Sequence, residues 1–421
     1  MDEYFLQFLW KFQKFTTFDL SLTSGERLSV FDPGHHNQHS GPDFLEGKIK
    51  IEKLTWTGSI EVHYKASDWY AHHHQQDKAY ENVILHVVWI DDKPVYYPSG
   101  QQLPTLVLCK IAPTELELEY RKYINQPGVI LCREYLPDVT MIQQMSLFDK
   151  AFGGRIQEKA EKIKATCNSC QGDWEETTYQ TLGRNFGFKT NTYAFEGLTQ
   201  SLPFKIIQKH LDHSDQVEAL IFGMAGLIKN ADDYGNKLSN EFDFLKKKYQ
   251  LSPVLSRHHW KFSRLRPANF PTIRLAQFIA LIRSSPGLFA TLLDIRDAKS
   301  AKKMISQSVP EYWLKHYDFG KPSAGPHRMG QQSIENVLIN SLVPLLAAYG
   351  KYTDNHLLLE RAEHILESLK PEQNRIIREW SDLGIIPKNA KDSQALLFQY
   401  ESFCKRKKCL HCNIGLSIIG P

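Results

Sequence analysis

The spacing of apolar residues changes character along the chain. Between about residues 28 and 110 they alternate with polar residues or run in short blocks. Beyond about residue 140 they recur every three or four positions. The blocks at 28–31, 47–51, 54–65, 83–90 and 105–109 have strand length. They are bounded by turn material such as Asp32-Pro33-Gly34 and Asp91-Asp92-Lys93-Pro94, so they predict strands. Residues 4–14 predict an amphipathic helix with a broad aromatic face, and the polar stretch 68–82 a short helix between two strands. Helical spacing continues at 146–164, 173–186, 215–228, 239–249, 272–282, 334–349 and 357–369. Asp173 and Asp215 are placed to cap two of these helices, and Pro203, Pro271, Pro371 and Pro387 punctuate them. The pattern is therefore that of an α+β protein, with an α/β domain over residues 1–138 and a mainly helical domain over 139–421.

Composition narrows the class. In 421 residues, 42% are hydrophobic and 23% charged, as in ordinary globular chains, and the net charge of +4 is too small to argue for a polyanionic partner. No apolar run approaches the roughly 18–20 residues of a membrane span. The N-terminus is acidic before it is apolar, unlike a secretory signal. Seven cysteines, an odd and scattered number, suit a reducing compartment, so a cytoplasmic location without membrane attachment is expected.

Candidate chemistry concentrates near the N-terminus. Of 17 histidines, eight (His35, His36, His39, His63, His72, His73, His74 and His86) fall in this short stretch. In a strand over 54–65, Glu61, His63 and Lys65 project to one face and Ile60, Val62 and Tyr64 to the other. The next strand, Val83-Ile84-Leu85-His86-Val87-Val88-Trp89, is apolar on both faces, as buried strands are. A carboxylate at Glu61 beside it needs a metal or a cation. His72, His74 and Asp77 are further candidate ligands, while His86 on its apolar strand reads as a hydrogen-bonded core histidine. Asp32-Pro33-Gly34 reads as a turn.

Pro42-Asp43 followed by Glu61-x-His63 resembles the PD-(D/E)xK, restriction-endonuclease-like superfamily. That resemblance implies a catalytic hairpin followed by a helix and a buried strand. Asp43 and Glu61 would bind Mg²⁺ or Mn²⁺, and His63 or Lys65 would position the attacking water. His63 stands where that superfamily has lysine, and Lys65 lies two residues on along the same face. Over nearly the whole chain, the stretch from Gly34 to Val88 is joined by later motifs: Asp173-Trp174-Glu175, Glu218-Ala219-Leu220-Ile221-Phe222-Gly223, Trp260-Lys261-Phe262, Arg264-Leu265-Arg266-Pro267, and Cys409-Leu410-x-Cys412. Together these resemble a bacterial family known only as a domain of unknown function, which implies a cytoplasmic bacterial protein and no particular activity.

Two other regions carry chemistry. From Phe244 to Leu293 there are nine Lys or Arg and no acid, with Trp260, Phe262 and Phe270 interleaved. Lys261, Arg264, Arg266 and Arg274 would then contact phosphates while the aromatics stack on bases. Alternatively the arginines pair within the fold and the lysines at 246–248 form a solvated helix end. In the tail, Cys404, Cys409 and Cys412 are spaced to bind zinc or an iron–sulfur cluster, with His411 or Cys167-x-x-Cys170 as the source of a fourth ligand. The expected function is that of a metal-dependent nuclease or phosphodiesterase acting on nucleic acid. The alternatives are a non-catalytic nucleic-acid-binding or assembly protein with a degenerate site, or a small-molecule metal hydrolase using His35, His63, His72 and His74.

Overall fold

The structure, a computed structural model, describes residues 3–37, 40–323 and 327–419. The chain divides into two compact units, one running to Leu147 and taken up again from Gln399, the other Phe148–Phe398. The C-terminal segment thus groups with the N-terminal unit, whereas the division read from the sequence placed it with the helices.

In the first unit the strands are β1 (Leu20–Ser21), β2 (Arg27–Asp32), β3 (His35–His36), β4 (Phe44–Ile51), β5 (Leu54–Lys65), β6 (Val83–Ile90) and β7 (Thr105–Val107). They form one sheet in the order β1-β2-β4-β5-β6-β7, with β3 also paired to β4. Strands β2, β4 and β5 are antiparallel, and β5, β6 and β7 are parallel. A two-residue turn joins Ile51 to Leu54, which are register partners. On β6 every residue from Val83 to Trp89 is buried, as a parallel strand covered on both faces requires. Helix α1 (Glu3–Lys11) buries Phe5, Leu6, Phe8, Leu9 and Trp10 and packs on β5 and β6.

The 68–82 stretch is less helical than its polarity predicts. It forms one turn, α2 (Asp68–Ala71), then two 3₁₀ turns, His74–Gln76 and Lys78–Tyr80. His73 adopts a left-handed φ of 61°, which ends the helix, and Asp77 caps the last turn by accepting from the Ala79 amide at 2.9 Å. Helix α3 (Thr114–Ile124), which the apolar spacing did not announce, completes this unit's helices ahead of α4 (Met141–Ser169).

Asp32-Pro33-Gly34 is the turn expected of it: the Gly34 amide donates to Asp32 Oδ1 at 2.8 Å, and Trp10 Nε1 donates to the Pro33 carbonyl at 3.0 Å. Gly34 has φ +86°, and a Cβ there would sit 2.7 Å from the Leu45 carbonyl oxygen, a backbone atom on β4. Gly34→Ala is expected to destabilise this unit by about 2–4 kcal/mol, since left-handed strain and displacement of backbone act together. A denaturant titration followed by tryptophan fluorescence measures it, and a loss below about 0.5 kcal/mol would show that the turn can relax.

The second unit is helical apart from a two-stranded ribbon, His316–Asp318 with Lys321–Pro322. Its core gathers Tyr179, Phe186, Phe195, Phe222, Phe278 and Trp313, and the helix Pro271–Ser284 is buried from Pro271 to Ile282. Asp173 caps its helix by accepting from the Glu175 and Glu176 amides. Asp215 does not cap: its helix begins one residue earlier, and the side chain pairs with Lys237 instead. No single described helix is long and apolar enough to cross a membrane.

Candidate metal centre

Parallel pairing of β5 with β6 sets Glu61 opposite His86 and His63 opposite Val88. Alternation then puts Glu61, His63 and His86 on one face of the sheet. The segment after α2 brings His72 and His74 to the same face. One nitrogen from each of His63, His72 and His74 lies within 4.8 Å of the other two. His63 Nε2 is 3.1 Å from His72 Nδ1. Glu61 Oε1 is 3.5 Å from His63 Nε2 and 3.4 Å from His74 Nε2.

Each of these groups is held from behind. The Asp43 amide donates to Glu61 Oε2 at 3.0 Å, leaving Oε1 for the histidines. Asp43 in turn accepts from Gln7 Nε2 on Oδ1 at 2.8 Å and from the Val62 amide on Oδ2 at 3.2 Å. His63 Nδ1 lies 2.9 Å from His86 Nε2. When His63 donates in that bond, its Nε2 is left as a lone pair facing His72. His74 stacks on Tyr80 at 3.8 Å between ring centres, and Trp69 meets His74 edgewise and His86 at a tilt.

The site is dry. Burial, reinforced by the neighbouring imidazoles, pushes His63 down to about 2, His74 to about 4 and His86 to about 3, so all three rings are neutral near pH 7. Burial raises the Glu61 carboxyl well above the ordinary range, with Asp43 adding to the effect. Burial raises Asp43 as well, against the hydrogen bond from Gln7. Three buried nitrogens here, His74 Nε2, His86 Nδ1 and Trp69 Nε1, have no hydrogen-bond partner. Neutral imidazoles, a buried carboxylate oxygen and an orphaned ring nitrogen are what a divalent cation would complete. The donors are mostly nitrogen, which suits zinc or iron better than the oxygen-loving Mg²⁺ expected from the sequence.

Other candidates fall differently. Lys65 is exposed at the end of β5, with only its amide tied down, by Asp68 Oδ2 at 2.9 Å. Asp77 is exposed and serves as a cap, and His35 is an exposed β3 residue opposite Leu45. His39 lies outside the described residues. Gln7, which holds Asp43, carried no signal beyond being polar on an aromatic helix.

In the helical unit, Lys261, Arg264 and Arg266 are exposed. Arg274 is not a phosphate contact. It is buried, donating to Gln277 Oε1 at 2.9 Å, Asn269 Oδ1 at 2.6 Å and Ser333 Oγ at 3.1 Å, with its guanidinium over the Phe188 ring. Trp260 is buried too and donates to the Ala225 carbonyl at 2.8 Å, so it offers no face to a base. The lysines at 246–248 close the helix Asp233–Tyr249 at its negative end. Cys404, Cys409 and Cys412 are buried in the first unit together with Cys132, whereas Cys167 and Cys170 belong to the second.

Fold and site define a mixed α+β protein in which a sheet-rich unit carries a cluster of histidines and carboxylates and a second unit is helical. The chain belongs to the family described as "Protein of unknown function (DUF2851)", whose model matches residues 3–375. No curated protein and no solved structure matches it.

Proposed function

We propose that the first unit is a metal-dependent hydrolase of phosphodiesters, nuclease-like in kind, with His63, His72, His74 and Glu61 as the ligands. The observation that carries this is the meeting of three imidazole nitrogens within 4.8 Å beside Glu61 Oε1. The order of elements also supports it. Three antiparallel strands, a short helical crossover and a parallel strand follow in sequence, with Asp43 at the entry to β4 and Glu61-x-His63 on β5. The resemblance of Pro42-Asp43 and Glu61-x-His63 to the PD-(D/E)xK motif adds support to this reading.

A divalent ion bound there supplies a Lewis acid and a water acidic enough to be ionised near neutral pH. The chain's own groups do the rest. His86 holds the ring of His63 in place, and the Asp43 amide holds the carboxyl of Glu61. Trp69 and Tyr80 keep water from the inner side, and the exposed His72 marks the side from which a substrate approaches. A second reading, hydrolysis of a small molecule, is favoured by the preponderance of imidazole over carboxylate donors.

The test loads purified protein with Zn²⁺, Mn²⁺ or Fe²⁺ and follows cleavage of single- and double-stranded DNA and RNA and of a small chromogenic phosphodiester. Wild type is expected to bind one ion per site and cleave. His72→Ala/His74→Ala should weaken metal binding by about 100-fold or more and lose cleavage in parallel. Cleavage of the small ester alone would select the second reading, and wild-type protein that binds none of the three ions would overturn both.

A further inference from the structure

Four of the seven cysteines meet in the first unit. Cys132, Cys404, Cys409 and Cys412 are each 8% exposed, and no disulfide links them. They arrive from separate local structures. Cys132 lies in the 3₁₀ turn Leu131–Glu134, which packs against the last described helix, Asn413–Ile419. Cys404 closes a π-turn, Tyr400–Cys404, an irregularity that re-aims a side chain out of a regular helix. Cys409 opens the 3₁₀ turn Cys409–His411, and Cys412 follows it. The turn is held tightly, since a Cβ on Gly415 would sit 2.1 Å from the Cys409 carbonyl oxygen.

Buried cysteines often serve only as small apolar filler, but here the sulfurs have polar company. Gln399 Nε2 donates to Cys412 Sγ at 3.0 Å, and the Ile414 and Gly415 amides also hydrogen-bond to that sulfur. The Tyr123 hydroxyl hydrogen-bonds with both Cys132 and Cys409. N–H donors converging on sulfur stabilise a thiolate ligand and offer nothing to a filler. The thiols also neighbour one another: Cys412 and Cys409 are within electrostatic reach of Cys132, and all three are within reach of Cys404. Lys405, Arg406, Lys407 and Lys408 lie in the loop between ligands, where an anionic centre would be balanced.

The spacing of the sulfurs bears on what they hold. Around one zinc ion with Zn–S bonds of about 2.3 Å, tetrahedral sulfurs stand about 3.8 Å apart. Among the described residues, only the three histidines form a ligand group drawn within 4.8 Å, so the thiols stand wider than a single ion needs. We propose that Cys132, Cys404, Cys409 and Cys412 bind an iron–sulfur cluster that fastens the C-terminal segment to the turn after α3.

The experiment is iron, zinc and acid-labile sulfide analysis of the full chain purified without oxygen, with its visible absorption spectrum. Wild type is expected to hold iron and sulfide in equal amounts with the broad absorption of a cluster. Cys132→Ser should lose it at least ~10-fold, while Cys109→Ser and Cys167→Ser/Cys170→Ser keep it. Zinc in place of iron, absence of any metal, or a cluster that survives in Cys132→Ser overturns the proposal. Should Cys132→Ser fail to fold, chelator treatment of wild type decides. Loss of the absorption with the return of four alkylatable thiols upholds the assignment, and an unchanged thiol count refutes it.

Discussion

Glu61→Gln is expected to lower metal-dependent hydrolysis by about 10³-fold, equivalent to about 4 kcal/mol of transition-state stabilisation. The substitution keeps the shape of the side chain, and an amide oxygen still accepts from the Asp43 amide, as Glu61 Oε2 does at 3.0 Å. What changes is the other end. Oε1 faces the ring nitrogens of His63 and His74, and an amide there carries no charge to balance a cation. The metal-free fold should be unharmed, because burial already holds the Glu61 carboxyl in its neutral, protonated form near pH 7, and Gln replaces one neutral group by another. Turnover and thermal unfolding measured on the same preparations separate the two effects. A rate within threefold of wild type, with metal bound, would make Glu61 a structural residue.

Trp313→Ala is expected to cost the helical unit about 4–5 kcal/mol and to lower its melting temperature by roughly 8–20 °C. Trp313 is fully buried, stacked on Phe222 at 4.7 Å and edge-on to Phe319 at 5.2 Å. Its indole N–H donates to Glu218 Oε2 at 3.1 Å. Glu218 is itself buried, held also by Ser214 Oγ at 2.8 Å and by Tyr234, and burial raises its pKa. Truncation therefore opens a cavity and removes one donor from a buried carboxyl. Trp313→Phe keeps a six-membered ring in the core and loses the N–H donor with its five-membered ring, so about 1–3 kcal/mol should remain of the loss. Denaturant titrations of both variants resolve the terms. Equal losses would mean that the hydrogen bond carries the effect and the ring none.

Strands β5 and β6 were legible in the sequence to the residue, because a polar–apolar alternation and a run of buried-type residues rich in Val and Ile leave few other conformations open. The shared face of Glu61 and His63 followed from the same alternation. Less could be read where the backbone turns. The triple histidine runs from the end of α2 into a 3₁₀ turn, and only the left-handed φ of His73 returns His74 to the site beside His72. Arg274 was misjudged because an acid-free stretch says nothing of neutral acceptors, and Asn269, Gln277 and Ser333 satisfy its guanidinium without an acid. Cys132 stands alone in sequence, with no spacing to tie it to the tail; tertiary structure alone makes it a neighbour of Cys404.

The first unit is built from two stretches of chain separated by the residues Phe148–Phe398. At about 5–20 residues per second, a ribosome needs roughly 12–50 s to synthesise that insertion. Throughout this interval the sheet has been made but the segment bearing Cys404, Cys409 and Cys412 has not, and by its end the helical unit has all its residues. The unit translated first is thus the one finished last, and a prematurely terminated chain would be damaged at its beginning.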